Sequence, residues 1–127
     1  MKKVVLLFGA SYGLLSVVLG AFGAHALKKI LTPEVLKSFE TGVKYQMYHA
    51  LVMLVIGFYF SFTVKTEVYM AMTFILGTFL FSFSIYLLAF NSLWGYNMRF
   101  VGLVTPLGGM LLIMGWILLL LNVYRKF

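Results

Sequence analysis

A chain of 127 residues has room for one domain, and a hydrophobic fraction of 63% with a mean hydropathy of +1.03 puts it outside the range of water-soluble folds. It has no cysteine and no aspartate, which excludes disulfides, thiolate nucleophiles, thiolate metal sites and aspartate pairs; Glu34, Glu40 and Glu67 are its only carboxylate side chains. The net charge of +7 is scattered in ones and twos at the ends of apolar runs rather than gathered in a patch, so it reads as anchoring at lipid headgroups and not as nucleic-acid binding.

Four uncharged stretches, Val4–Leu27, Tyr45–Val64, Val68–Met98 and Phe100–Tyr124, are separated by charged residues. Each reaches the roughly 20 residues that a helix needs to cross a bilayer. The start imitates a secretion signal, with Lys2-Lys3, an apolar run and Ala24-His25-Ala26. That run is longer than a signal core of about 7–15 residues, so it is read as the first span. Along it, Gly9, Gly13, Ser16, Gly20 and Gly23 recur at steps of four and three and share one helix face. In lipid such small residues let backbones approach, so this face reads as a packing seam.

Thr32 and Pro33 make a helix start, and Leu36, Phe39, Val43 and Met47 form a stripe opposite Lys37, Thr41 and Lys44. This predicts a short interfacial amphipathic helix over about 33–44, running on into the second span, with Gly42 a site for a bend. Lys65-Thr66-Glu67 reads as a very short loop, which makes spans two and three an antiparallel hairpin. Span three is expected to end near Phe90, before a polar turn of Asn91, Ser92, Gly95 and Asn97 with Trp94 and Tyr96 as interfacial anchors. In span four, Gly102, Thr105, Pro106, Gly109 and Trp116 share one face, and Gly108 and Gly115 a neighbouring one, as for a helix packed between two others. Pro106 has no N–H for the carbonyl of Gly102, so a kink is expected there; a structural kink is preferred to a binding site.

With four spans, Lys2, Lys3, Lys65, Arg125 and Lys126 share one membrane side and Lys28, Lys29, Lys37, Lys44 and Arg99 the other, which ties the positive-inside rule. The adopted orientation puts both termini in the cytoplasm.

The candidate polar cluster is His25, Glu40, Lys44, Tyr45, Gln46 and His49. His25 closes span one and His49 opens span two, so both are expected near one membrane surface. Glu40 is expected at the edge of the apolar stripe and Gln46 within it, both turned toward protein. An ion pair of Glu40 with Lys44, or with Lys28 or Lys29, is preferred to a proton-handling role. A His25–His49–Glu40 metal site fits no known spacing, and hydrogen-bonded structural histidines are preferred. The serines at 11, 16, 61, 82 and 84 lie in apolar spans, where their hydroxyls usually bond the helix's own carbonyls; no nucleophile elbow is present.

The stretches Leu19–His25 (LGAFGAH), Phe39–Ala50 (FETGVKYQMYHA) and Thr105–Gly109 (TPLGG) together resemble the small bacterial membrane proteins grouped as domain of unknown function 423, which are similar to eukaryotic transmembrane protein 256. The resemblance implies a polytopic inner-membrane protein of bacteria and brings no catalytic residue, substrate or cofactor with it. The expected fold is therefore all-α: a four-helix transmembrane bundle with spans at about 4–27, 45–64, 68–90 and 100–124 and the interfacial helix between the first two. The expected function is non-enzymatic, as a structural, accessory or lipid-interacting component, with no metal and no cofactor. Its partners are membrane lipids, and a second copy or another membrane protein. A small-solute or ion transporter is the alternative, and a membrane enzyme using His25, His49 and Glu40 a third.

Overall fold

The computed structural model describes residues 1–95 and 99–127. It contains α1 (Lys2–His25), a 3₁₀ turn (Leu27–Lys29), α2 (Pro33–Tyr59), α3 (Lys65–Thr78), a π-helical turn (Phe79–Phe83), α4 (Ser84–Trp94) and α5 (Val101–Lys126). α3, the π turn and α4 are continuous, so the architecture is an all-α four-helix bundle. Among the described residues, three stretches are long and apolar enough to cross a membrane: Lys2–Lys29, Lys65–Trp94 and Val101–Lys126. α2 falls short of that composition because it carries Glu40, Lys44, Gln46 and His49. Outward faces are apolar, as lipid contact requires: Phe58 and Leu103 are each 71% exposed and Leu120 is 69% exposed.

α2 begins where the sequence marks it, with Thr32 Oγ1 accepting from the backbone N–H of Val35 at 3.3 Å and Pro33 in the first turn. The amphipathic segment and the second span are one unbroken helix of 27 residues. Gly42 does not bend it. Its missing side chain makes room for the Tyr86 ring, whose Cε1 would lie 2.9 Å from an added Cβ. Residues 60–64, counted with the second span by hydropathy, leave the helix, and Lys65-Thr66-Glu67 is the first turn of α3 rather than a loop. Phe62 turns the chain at φ 58°. This left-handed conformation costs a non-glycine residue about 1 kcal/mol, and burial of the Phe62 ring in the core offsets it. At the far end, Asn91 and Ser92 lie in the last turn of α4, which Gly95 closes at φ 71°. Tyr96 and Asn97, expected in the polar turn, lie outside the described residues.

α1 packs antiparallel on α2 through its small residues. An added Cβ would lie 3.1 Å from the Ala50 carbonyl oxygen at Gly9, 3.5 Å from Val43 at Gly20 and 2.9 Å from Phe39 at Gly23. The backbone of α5 lies close to the α3–π–α4 helix, and among the described residues α5 reaches α2 through side chains alone, as at Trp116 and Lys126. Its backbone is therefore not wedged between two helices. Its close face is Gly108 and Gly115, against Phe81 and Phe74, while Gly102 meets nothing within 4 Å. α2 is the central helix, and its last turn is held at two points. Lys2 Nζ donates to the Phe58 carbonyl at 3.3 Å, and Lys126 Nζ lies 4.5 Å from the centre of the Tyr59 ring.

Candidate functional site

The polar residues singled out by the sequence do not form one cluster. His25, Glu40, Lys44 and Tyr45 are exposed, whereas Gln46 is 0% and His49 4% exposed. Glu40 points away from protein because the buried face of α2 is centred on Phe39, Gly42, Gln46, Met53 and Ile56. At 100° per residue Glu40 falls roughly 140° from that centre. His25 and His49 are also not level. Gly23 of α1 abuts Phe39, so His25 stands near the start of α2, roughly 17 Å along the axis from His49. Among the described residues, no three His, Asp or Glu side chains come together to hold a metal ion.

Gln46 instead anchors a network across three spans. Its Nε2 donates to the Tyr12 carbonyl at 2.9 Å, and its Oε1 accepts from the Tyr86 hydroxyl at 2.6 Å. The Tyr12 hydroxyl donates to the Ile75 carbonyl at 3.0 Å, and Ser16 Oγ to the Tyr12 carbonyl at 2.7 Å. Ser82, in the π turn, donates to the Gly42 carbonyl at 2.8 Å. Ser82 and Tyr86 thus reach α2 one turn apart, at Gly42 and Gln46. With no water in the bilayer core, each of these groups needs a protein partner, and each has one.

His49 is held in a ring of aromatics from three helices, Tyr45, Phe74 and Trp116. Trp116 Nε1 donates to His49 Nε2 at 3.2 Å, and His49 Nδ1 lies 2.7 Å from the Tyr45 carbonyl. An indole N–H can only donate, so Nε2 is the acceptor and the proton sits on Nδ1, donated to Tyr45. A neutral imidazole satisfies both contacts, and the pair is a polar tie between α2 and α5.

A groove of about 460 Å³ opens between the start of α2, α4 and the start of α5. Val35, Ile85, Leu88 and Ala89 form apolar wall, and Ser38, Thr41, Thr105, Gly102 and Pro106 line the rest. Ser84 Oγ donates to the Phe81 carbonyl at 2.9 Å, so the Thr105 hydroxyl, 2.6 Å away, donates to Ser84. Pro106 offers no N–H to the Gly102 carbonyl, which leaves an acceptor on the groove wall.

Sequence reasoning missed Tyr12, Tyr86 and Ser82, whose signal was only a polar atom in mid-span. It also missed Glu67, which is 7% exposed, and Asn122, which is 5% exposed.

The family model described as "Protein of unknown function (DUF423)" matches residues 19–109. The chain belongs to the DUF423 family. A UPF0382 membrane protein of Staphylococcus saprophyticus is 35% identical over 123 residues, covering 97% of this chain and 98% of its own length. The UPF0382 membrane protein YwdK of Bacillus subtilis is 36% identical over 119 residues, covering 92% and 93%. No solved structure matches this chain. This DUF423 protein is a helical membrane protein. The matched stretch holds Gln46, His49, Tyr86 and the Thr105-Pro106 groove, and it leaves Tyr12, Trp116 and Asn122 outside.

Proposed function

We propose that this DUF423 protein is a non-enzymatic component of the bacterial cytoplasmic (inner) membrane, with both termini on the cytoplasmic side, that engages lipid through the groove between α2, α4 and α5. One observation carries this reading. The mid-membrane polar groups Tyr12, Gln46, Tyr86 and His49 are bonded to side chains or backbone of the bundle, whereas the groove sets the exposed Ser38 hydroxyl and the Gly102 carbonyl, deprived of its helical donor by Pro106, beside an apolar wall. A wall of that kind suits an acyl chain, and polar groups near the helix starts suit the ester and headgroup region. In this reading Gln46, His49 and Tyr45, whose ring stacks on His49, are structural, while His25, Glu40 and Lys44 meet headgroups. The partners are membrane lipids and, at the exposed apolar faces, a second copy or another membrane protein.

Native mass spectrometry of gently extracted protein tests the lipid. Gly102 lines the groove and an added Cβ there meets nothing within 4 Å, so Gly102→Trp directs an indole from open space into the groove. The wild type should retain a lipid that Gly102→Trp loses at unchanged melting temperature. A wild type that retains none would sink the reading.

A second reading, a small-solute or ion transporter, draws on the Gly102 carbonyl freed by Pro106. Solute flux in proteoliposomes that Gly102→Trp abolishes would favour it over lipid engagement.

A further inference from the structure

At the opposite end of the bundle, the first turn of α3 meets the last turn of α5. Glu67 there is 7% exposed, and its Oε2 is buried with no hydrogen-bond partner among the described residues. It lines an open pocket of about 270 Å³ with Val64, Thr66, Asn122, Arg125 and Lys126. Asn122 is fixed in one orientation, since Thr66 Oγ1 donates to its Oδ1 at 2.6 Å. Its Nδ2 has only the sulfur of Met70, at 3.8 Å, as acceptor. Lys126 is already engaged over the Tyr59 and Phe60 rings, at 4.5 and 4.9 Å. Arg125 is exposed at the rim.

A buried carboxylate oxygen without a donor is costly and is relieved by a cation that can hydrogen-bond. The pocket therefore asks for a donor cation inside and, at the guanidinium rim, an anion. Arg suits phosphate because its planar fork bonds two oxygens at once. We infer that this pocket binds a group in which a primary ammonium is linked to a phosphate, with the ammonium donating to Glu67 Oε2 and the phosphate meeting Arg125. Two sources carry that chemistry: the headgroup of an aminophospholipid, and free phosphoethanolamine. The inference does not rest on the groove, which lies at the other membrane face.

The test is native mass spectrometry of the full chain, delipidated and then offered equal amounts of phosphatidylethanolamine, phosphatidylcholine and phosphatidylglycerol with identical acyl chains. Identical chains cancel any contribution from an acyl groove. A charge-assisted hydrogen bond should favour the ethanolamine lipid about tenfold over the choline lipid, whose quaternary nitrogen cannot donate. Glu67→Gln should abolish the preference. If Glu67→Gln does not fold, Arg125→Gln, at an exposed position, should still lower the ethanolamine adduct several-fold. Added phosphoethanolamine that displaces the lipid would identify the soluble source, and a lipid adduct that resists it would identify the headgroup; either supports the site. Equal retention of all three lipids by the wild type would overturn the inference. So would a preference that survives both substitutions.

Discussion

Gln46→Leu removes the group on which the bundle's polar interior converges. Leucine nearly matches the side chain in shape, so the change is chemical more than steric. Two hydrogen bonds go, to the Tyr12 carbonyl and from the Tyr86 hydroxyl. The Tyr12 carbonyl keeps Ser16 Oγ at 2.7 Å, so most of the cost falls on the buried Tyr86 hydroxyl. An orphaned hydroxyl costs about 1–3 kcal/mol. Interhelical hydrogen bonds in membranes contribute less than that range suggests, about 0.6–2 kcal/mol. We expect Gln46→Leu to destabilise by about 1–2 kcal/mol. Tyr86→Phe should cost a similar amount, because it orphans Gln46 Oε1. The double variant removes both partners of one bond and should cost less than the sum by about 1 kcal/mol. Reversible unfolding in mixed detergent, read by circular dichroism across the four proteins, supplies the cycle. A coupling indistinguishable from zero would show that the two side chains do not meet, and would refute the pairing of α2 with α4 in this register.

Gly108 and Gly102 lie on different faces of α5 and should answer oppositely to alanine. A Cβ at Gly108 would collide with the backbone nitrogen of Phe81, so Gly108→Ala must push α5 off the π turn and should cost about 1–3 kcal/mol in the same unfolding assay. Gly102→Ala enters open space and should be neutral, or stabilising by up to about 1 kcal/mol through helix propensity; equal effects would misplace the packed face of α5. Trp116→Phe keeps an aromatic ring but removes the N–H that donates to His49 Nε2. Nitrogen NMR of ¹⁵N-histidine-labelled protein should show His49 as the Nδ1–H tautomer in the wild type and a mixed tautomer in Trp116→Phe. An Nε2–H form in the wild type would contradict the assignment.

What the sequence made readable was local. The N-cap at Thr32 with Pro33 behind it depends on neighbours within one turn, as does the three-and-four spacing of small residues from Gly9 to Gly23. Span length needs only composition. The misread positions depend on partners far along the chain. Gly42 suggests a bend until Tyr86, 44 residues on, is known to fill its side-chain space. A wheel drawn around the apolar stripe puts Glu40 at its edge and Gln46 within it, and so turns both toward protein. The buried face is instead set by close contacts at Gly42, Gln46 and Ala50, which carry little hydropathy signal and leave Glu40 outside. The π turn admits an extra residue per turn between α3 and α4, and no spacing rule for a regular helix reports that. Glu67 reads as a loop charge because Lys65 and Thr66 precede it. Its burial follows from the last turn of α5, with Asn122, closing over it.

The lipid reading is tested most directly from inside the groove. A diazirine-bearing residue in place of Ser38, which lines it, is irradiated after extraction and thorough washing, alongside the same residue at Leu14 on the outer face of α1, 67% exposed. A phospholipid adduct that survives washing is expected at position 38, and none at position 14. A protein adduct at 38, or lipid captured equally at both positions, would contradict the lipid reading.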